Sequence, residues 1–343
     1  MKKLGDDVHD AVRAAIDKPL RLRELRQLGL SDNDVRRLLR SSSLQRSHAH
    51  YIDGELEARL AAVLCARAAH PKSVISHFTA AALSDLRVWT DNQRDDRPLT
   101  EAVWLTCVPG KRRRNQKRDD VVLRRAGLTA ADLQHHRGLL LTSDARTTVD
   151  LARELPLREA MVTVDHAMAA SVTRIELELV LQRQRRWPGV QRARSAVEFG
   201  DPRSESVLES IARVAFAAAG LPAPELQAQF WDGARWTPER VDFWWPQFCT
   251  VAEADGLEKF DAPTARERRR LLRRNFERDQ RLADLGLELL HFGWEDAVLK
   301  PDELAERLRA AFARGSRRTD HQPTWRTTDP TDPALWPTRL DLA

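Results

Sequence analysis

Residues 241–256 read VDFWWPQFCTVAEADG, and each half of this stretch sets a carboxylate inside an otherwise apolar run. Val241-Asp242-Phe243 and Val251-Ala252-Glu253-Ala254-Asp255 have the apolar and aromatic content of consecutive buried strands, and Pro246 breaks the run between them. A carboxylate in such a strand is costly without a partner. Two or three at one place repel each other unless a cation lies between them. Asp242 and Glu253 are therefore the candidate pair, and Mg²⁺ or Mn²⁺ the candidate cofactor, because Mg²⁺ takes hard oxygen ligands. A metal held this way polarises a phosphodiester and activates a water, which is the minimal equipment for phosphodiester hydrolysis. The plainer reading is that Asp242 pairs with an arginine; with 56 Lys and Arg in the chain, spacing leaves both readings open.

Outward from this stretch, Ser204–Gly220 is predicted as an apolar helix carrying Glu205 and Glu209, four apart and therefore on one face. One of the two would complete the metal shell. Glu225–Trp231, Arg240–Trp244 and Thr250–Ala254 read as strands. An Arg-rich helix follows from Thr264 to Leu285 and is stopped by Gly286. Leu287–Phe292 is a further strand and Pro301–Arg314 a closing helix. From Ser316 the chain carries Pro, Thr and Asp without periodicity, and a disordered tail is expected.

At the other end, Val8–Ile16 and Leu22–Leu28 read as helices, and Ser31 caps a third over Asp32–Arg40. Leu44 to Gly54 alternates and closes on Asp53-Gly54, a β-ribbon signal. Helices joined by a short turn and followed by a ribbon give the winged helix-turn-helix order. Arg36, Arg37 and Arg40 on the last helix, with Arg46, His48 and His50 on the ribbon, would then face double-stranded DNA. A small helical domain with a solvated basic face fits the same residues. The middle region reads as helices over Leu56–Ala69 and Val74–Leu86, strands over Ala102–Val108 and Val121–Arg124, and helices over Thr142–Glu154, Arg158–Ala169 and Arg174–Gln184. Between its strands, Lys111, Arg112, Arg113, Arg114, Lys117 and Arg118 make a basic turn that suits a DNA backbone or a solvated hairpin tip equally.

The bulk numbers restrict the class. Hydrophobic residues make up 42%, enough for real cores, so the chain is not wholly disordered. The net charge of +5 permits nucleic-acid binding without requiring it. Cys65, Cys107 and Cys249 are sparse and form no C-x-x-C pair, which argues against a structural zinc site and fits a reducing cytoplasm. No apolar run reaches the length of a bilayer span, so no membrane association is expected. The expected fold is a multidomain α+β or α/β chain: winged helix over 1–54, α/β domain over 55–198, mixed sheet flanked by helices over 199–315, disordered tail over 316–343.

Two resemblances bear on these regions. Ser204 to Ser210, Gly220-Leu221-Pro222, Glu225-Leu226-Gln227, Val241 to Pro246, Glu253 to Gly256 and Leu287 to Asp296 follow in an order that resembles the Vsr-like branch of the PD-(D/E)XK nucleases, in an actinobacterial form often described only as a domain of unknown function. The resemblance implies a four-stranded mixed sheet and a Mg²⁺-dependent endonuclease. It casts Asp242 and Glu253 as metal ligands, Glu205 or Glu209 as the helix acid, and Gln227 as a neighbour on the bordering strand. Asp255 occupies the place of the superfamily's lysine, and Lys259 either stands in for it or lies on the surface. His291 occupies the place of an expected arginine. Arg23 to Tyr51, Ile75 to Leu83 and Leu141 to Ala152 are similar to AbiEi-type antitoxins, which implies promoter DNA and a toxin or defence-system partner. The alternative function is accordingly a non-catalytic transcriptional regulator whose nuclease fold is degenerate. The oligomeric state stays open, a homodimer included.

Overall fold

The computed structural model describes residues 18–91, 101–107, 116–117, 120–255, 264–318 and 323–327. The expected helix Val8–Ile16, Lys111 to Arg114, Arg118 and Lys259 lie outside them. The chain is mixed α/β with three sheets and divides into two compact units, Met1–Leu86 with Thr90–Thr147, and Arg87–Trp89 with Thr148–Ala343.

The first unit opens with α1 (Leu22–Gln27) and α2 (Asp32–Arg40). Ser31 caps α2 as expected, accepting from the Asp34 amide while Asp34 accepts from the Ser31 amide. A hairpin follows, β1 (Leu44–Ser47) against β2 (His50–Asp53). Leu20, Leu25, Leu30, Val35, Leu44 and Tyr51 bury one another between the helix pair and the hairpin. The hairpin turns at His48-Ala49, both at positive φ (48° and 58°), and not at Asp53-Gly54. Positive φ at both central residues is the I′ geometry that matches strand twist, achieved here without glycine. Gly54 serves a different need, since a Cβ there would run into the Ser42 carbonyl.

Behind the hairpin come α3 (Ala58–Ala69), β3 (Ser73–Ile75), α4 (His77–Leu83), β4 (Val103–Cys107), β5 (Gln116–Lys117), β6 (Val121–Arg125), β7 (Leu133–His136) and β8 (Leu139–Thr142). The strands form one sheet in the order β5-β6-β4-β3-β8-β7. The single helix expected over Val74–Leu86 is thus a strand and a helix. The fully buried Ile75 pairs with Leu105 and Leu141, and only after Ser76 does the backbone turn helical. The β7–β8 hairpin was not expected from the sequence; it turns at Arg137-Gly138, also at positive φ.

The division between the units falls within α5 (Asp144–Glu154). The second unit continues with α6 (Leu157–Ala169), α7 (Arg174–Arg183), α8 (Val190–Phe199) and α9 (Val207–Ala218). Its sheet is built from β9 (Glu225–Phe230), β10 (Val241–Trp245), β11 (Thr250–Asp255), then, after α10 (Ala265–Asp284), β12 (Glu288–Gly293). α11 (Trp294–Val298) and α12 (Pro301–Gly315) follow, and β13 (Trp325–Thr327) closes it. The order is β12-β11-β10-β9-β13, with β11 and β12 parallel and the other pairs antiparallel. The four expected strands are present, and the fifth comes from the stretch expected to be disordered: Trp325 pairs with Phe230 and stacks edge-on to Trp244.

Alternation along these strands makes two cores. Phe243, Trp245, Ala252, Ala254, Leu290 and Phe292 pack with Phe216 of α9 and Leu308 and Phe312 of α12. Trp244, Val251, Phe230 and Leu287 pack with Leu282 of α10. The same period of two sends Glu253 and His291 to the α10 side.

Candidate functional site

Glu205, Glu209, Asp242 and Glu253 come into one neighbourhood of the second unit. Glu205, expected on the helix, precedes it. Ser206 caps α9 by accepting from the Glu209 amide, so the helix starts at Val207. The two acids still meet, because a Glu209 carboxylate oxygen accepts from the Glu205 amide at 2.9 Å. Glu209 is 6% exposed. Burial pushes its carboxyl up to about 8, and Asp242 and Glu205 push the same way, against hydrogen bonds from Ser206 and the Glu205 amide. Burial first, and the neighbouring acids second, therefore favour the protonated form of Glu209.

Gln227 completes this corner. Its Nε2 donates to Glu209 at 3.1 Å. It does so from φ +54°, a left-handed conformation in the middle of β9, at the step between the Val241–Ala228 and Phe243–Leu226 pairs. A buried non-glycine residue held there costs on the order of 1 kcal/mol, and such strain clusters at functional sites. The Asp242 carboxylate accepts from the Ala254 amide at 2.8 Å, which ties β10 to β11 at the point where Glu253 sits.

Two arginines that sequence reasoning did not single out enter the cluster. Arg278 of α10 donates to Glu253 at 2.6 Å and to the Arg240 carbonyl at 2.7 Å. Burial works against its charge, but Glu253, Asp242 and Glu239 hold it more firmly protonated. Arg240 pairs with Glu205 at 2.8 Å. Burial pushes the Glu205 carboxyl up, and Arg240 offsets part of that shift. Nothing in the sequence distinguishes Arg278 from the other arginines of its helix. Only the register of α10 on the sheet does. Among the described residues, no group of three His, Cys, Asp or Glu side chains is arranged to hold a metal ion.

Asp255 accepts from His291 Nδ1 at 2.9 Å, and His291 Nε2 lies 3.2 Å from Asp279. The hydrogen bond to Asp255, with the charge of Asp279 added, raises the imidazole above its ordinary value. Both aspartates thus favour the protonated form of His291.

In the first unit, Arg36, Arg40 and Arg46 are exposed, and Arg37 is tied to Asp34 at 3.1 Å. Arg40 reaches back to the Arg36 carbonyl, and Arg46 lies over Tyr51. The two ribbon histidines turn inward. His50 is 5% exposed and accepts from Arg21, and His48 faces Asp120. The outward basic set is therefore Arg36, Arg40 and Arg46.

The described residues contain no helix long and apolar enough to cross a membrane, and the three cysteines are free thiols. Residues 62–199 match the family model of the AbiEi antitoxin C-terminal domain. The chain is also 34% identical over 181 residues to two uncharacterized proteins of Mycobacterium tuberculosis, MT2308 of strain CDC 1551 / Oshkosh and Rv2248 of strain H37Rv. Those alignments cover 52% of this chain and 64% of each relative. The crystal structure of the RV2827C protein from Mycobacterium tuberculosis superposes on 58% of the chain and 78% of its own, with a TM-score of 0.41 and 17% identity. Residues 62–199, less than half of the chain, are thus similar to the AbiEi antitoxin C-terminal domain.

Proposed function

We propose that the chain is a DNA-binding regulator of the antitoxin type. The observation that carries this reading is the match of residues 62–199 to the AbiEi antitoxin domain, placed directly behind the helix pair and hairpin of residues 22–53. In this reading the hairpin is the wing of a winged helix, α2 lies in the major groove, and Arg36, Arg40 and Arg46 contact phosphates and base edges. A toxin or another defence component is the partner class that the family suggests. Fluorescence anisotropy with the promoter fragment upstream of its own coding region tests it. Arg36→Ala with Arg40→Ala should weaken binding by about 10²-fold and lower the salt slope by about 2. Unchanged affinity and slope would reject the reading.

A second reading is favoured by the Glu209 corner: a metal-dependent nuclease of the PD-(D/E)XK type, its substrate the same duplex. Carboxylate oxygens are the right donors for Mg²⁺ or Mn²⁺, and a cation would offset the repulsion that Asp242 and Glu205 add to the burial of Glu209. Asp242, Glu253 and Glu205 would hold it, and it would supply an activated water. For that, Glu253 and Glu205 must give up Arg278 and Arg240. Gln227 would keep Glu209 oriented, and Asp255 would stay with His291. Nicking of supercoiled plasmid in Mg²⁺ or Mn²⁺ that disappears in Asp242→Asn supports this reading; nicking that survives, or none from the parent, rejects it.

A further inference from the structure

Helix α10 breaks the local rules of helix stability on its outer face. All eight of its basic residues are arginines, and none is lysine. Arg266, Arg269, Arg270, Arg273 and Arg274 are exposed and fall within an arc of about 140° and a rise of about 12 Å. Arg266–Arg270, Arg269–Arg273 and Arg270–Arg274 are i,i+4 pairs of like charge, which destabilise a helix. All five lie in the N-terminal half of the helix, and Arg266 is in its first turn, where the macrodipole disfavours cations. The inner half of the same helix shows the ordinary solution: Arg278 and Arg281 are held by Glu253 and Glu239. Among the described residues of the outer face, Arg273 has such a partner, Glu277 at 2.8 Å. Local rules broken together on one surface, with no packing gain, mark a surface selected for binding.

The geometry points to this ridge as a second contact surface for duplex DNA, gripping the sugar–phosphate backbone independently of sequence. Arginine's planar fork matches phosphate oxygens two at a time, which a lysine cannot do. A rise of about 12 Å runs past about seven phosphates of a duplex, enough to occupy five guanidinium groups. An anionic bilayer is the poorer fit, because it needs an apolar stripe beside the charges. Among the described side chains of α10, Phe276 is the one large apolar group exposed, while Leu282 is spent on the core. The identity of the polyanion rests on the DNA-binding reading above; the ridge itself does not.

The test is anisotropy of the full chain on a random-sequence duplex across a salt series. The variant Arg266→Gln/Arg269→Gln/Arg270→Gln/Arg274→Gln should bind about 10²-fold more weakly, with the salt slope lower by about 3 to 4, and the matching Arg→Lys variant should keep the salt slope but bind about 10-fold more weakly than the parent, since it keeps the charges and loses the paired hydrogen bonds. Circular dichroism confirms that both variants fold, as expected for exposed positions. If the Gln variant binds like the parent, or if polyglutamate, vesicles of equimolar phosphatidylserine and phosphatidylcholine, or duplex RNA compete better than duplex DNA, the proposal is overturned. Arg36→Ala/Arg40→Ala separates the two readings. Loss of all binding there, with none lost in the α10 variant, leaves the winged helix standing alone; the reverse leaves only the ridge.

Discussion

Two buried carboxyl groups of the second unit, Asp165 on α6 and Glu209 on α9, meet the same physical problem and receive opposite solutions. Asp165 is almost fully buried, and burial pushes its carboxyl up, but Arg213, the Asp201 amide and Ser210 all pull it back. Arg213 donates to it at 2.8 Å and lies over the Phe199 ring, so the pair welds α6 to α9. Around Glu209 the nearest charges are Asp242 and Glu205, which add to the cost of burial. The fold had arginines to spare and set Arg240 and Arg278 on Glu205 and Glu253 instead. One site is arranged for stability. The other is tolerated against it, which is the mark of a group kept for what it does.

The sharpest way to break that contrast is at Asp165. Arg213→Met leaves a buried carboxylate without its cation, and such losses cost about 3–5 kcal/mol. Urea unfolding followed by tryptophan fluorescence should show this as an early transition. Adding Asp165→Asn should recover much of the loss, since two neutral groups replace one stranded charge. If the single variant unfolds like the parent, Asp165 is no more structural than Glu209 and the comparison fails.

Glu209→Gln should move stability the other way. The folded carboxyl is raised to about 8 from an ordinary value of 4.5, so the folded chain binds the proton more tightly than the unfolded chain. Its contribution is fully present below pH 4.5 and is lost as pH rises through about 8. A glutamine keeps the acceptor for Gln227 and carries no charge to repel Asp242. At about pH 8 the variant should be more stable than the parent by about 1–3 kcal/mol, and the decline between about pH 5 and 8 should flatten. Thermal melts across that range check it; a parent whose stability does not fall with pH removes the claim that Glu209 is crowded.

Much of this frame was legible in the sequence. Apolar runs marked β9 to β12, Ser31 and Thr264 marked helix starts, and Asp242 and Glu253 could be named from their strands and Glu205 and Glu209 from the expected helix. What escaped was what a side-chain alphabet does not encode. The turn at His48-Ala49 has no glycine to announce its positive φ, whereas Asp53-Gly54 advertised a turn and delivered a close backbone approach. β3 is three residues long, too short for any period to show before Ser76. Gln227 looks like any strand glutamine until its φ is known. The solvent-facing and carboxylate-facing arginines are alike in sequence, and only packing of α10 sorts Arg278 inward from Arg270 and Arg274 outward.

The smallest effect should come from His291, which offers a third solution to crowded acids: a cation that titrates. Asp255 and Asp279 raise its imidazole above the ordinary 6.5, so its stabilising charge is complete below pH 6.5 and disappears as pH rises through the higher folded value. The side chain is 36% exposed and its partners 23% and 33%, so water screens the pairs and the whole contribution should stay under about 1 kcal/mol. His291→Gln should therefore lower stability slightly at about pH 6 and leave it unchanged at about pH 9. Set beside Glu209→Gln, it divides the pH dependence of the site in two. The glutamine at 209 removes the part that begins near 4.5, and the glutamine at 291 removes the part that begins near 6.5. If His291→Gln removed the whole slope instead, the acids around Glu209 would be ionised together at neutral pH, and a cation the described residues do not supply would be needed to hold them.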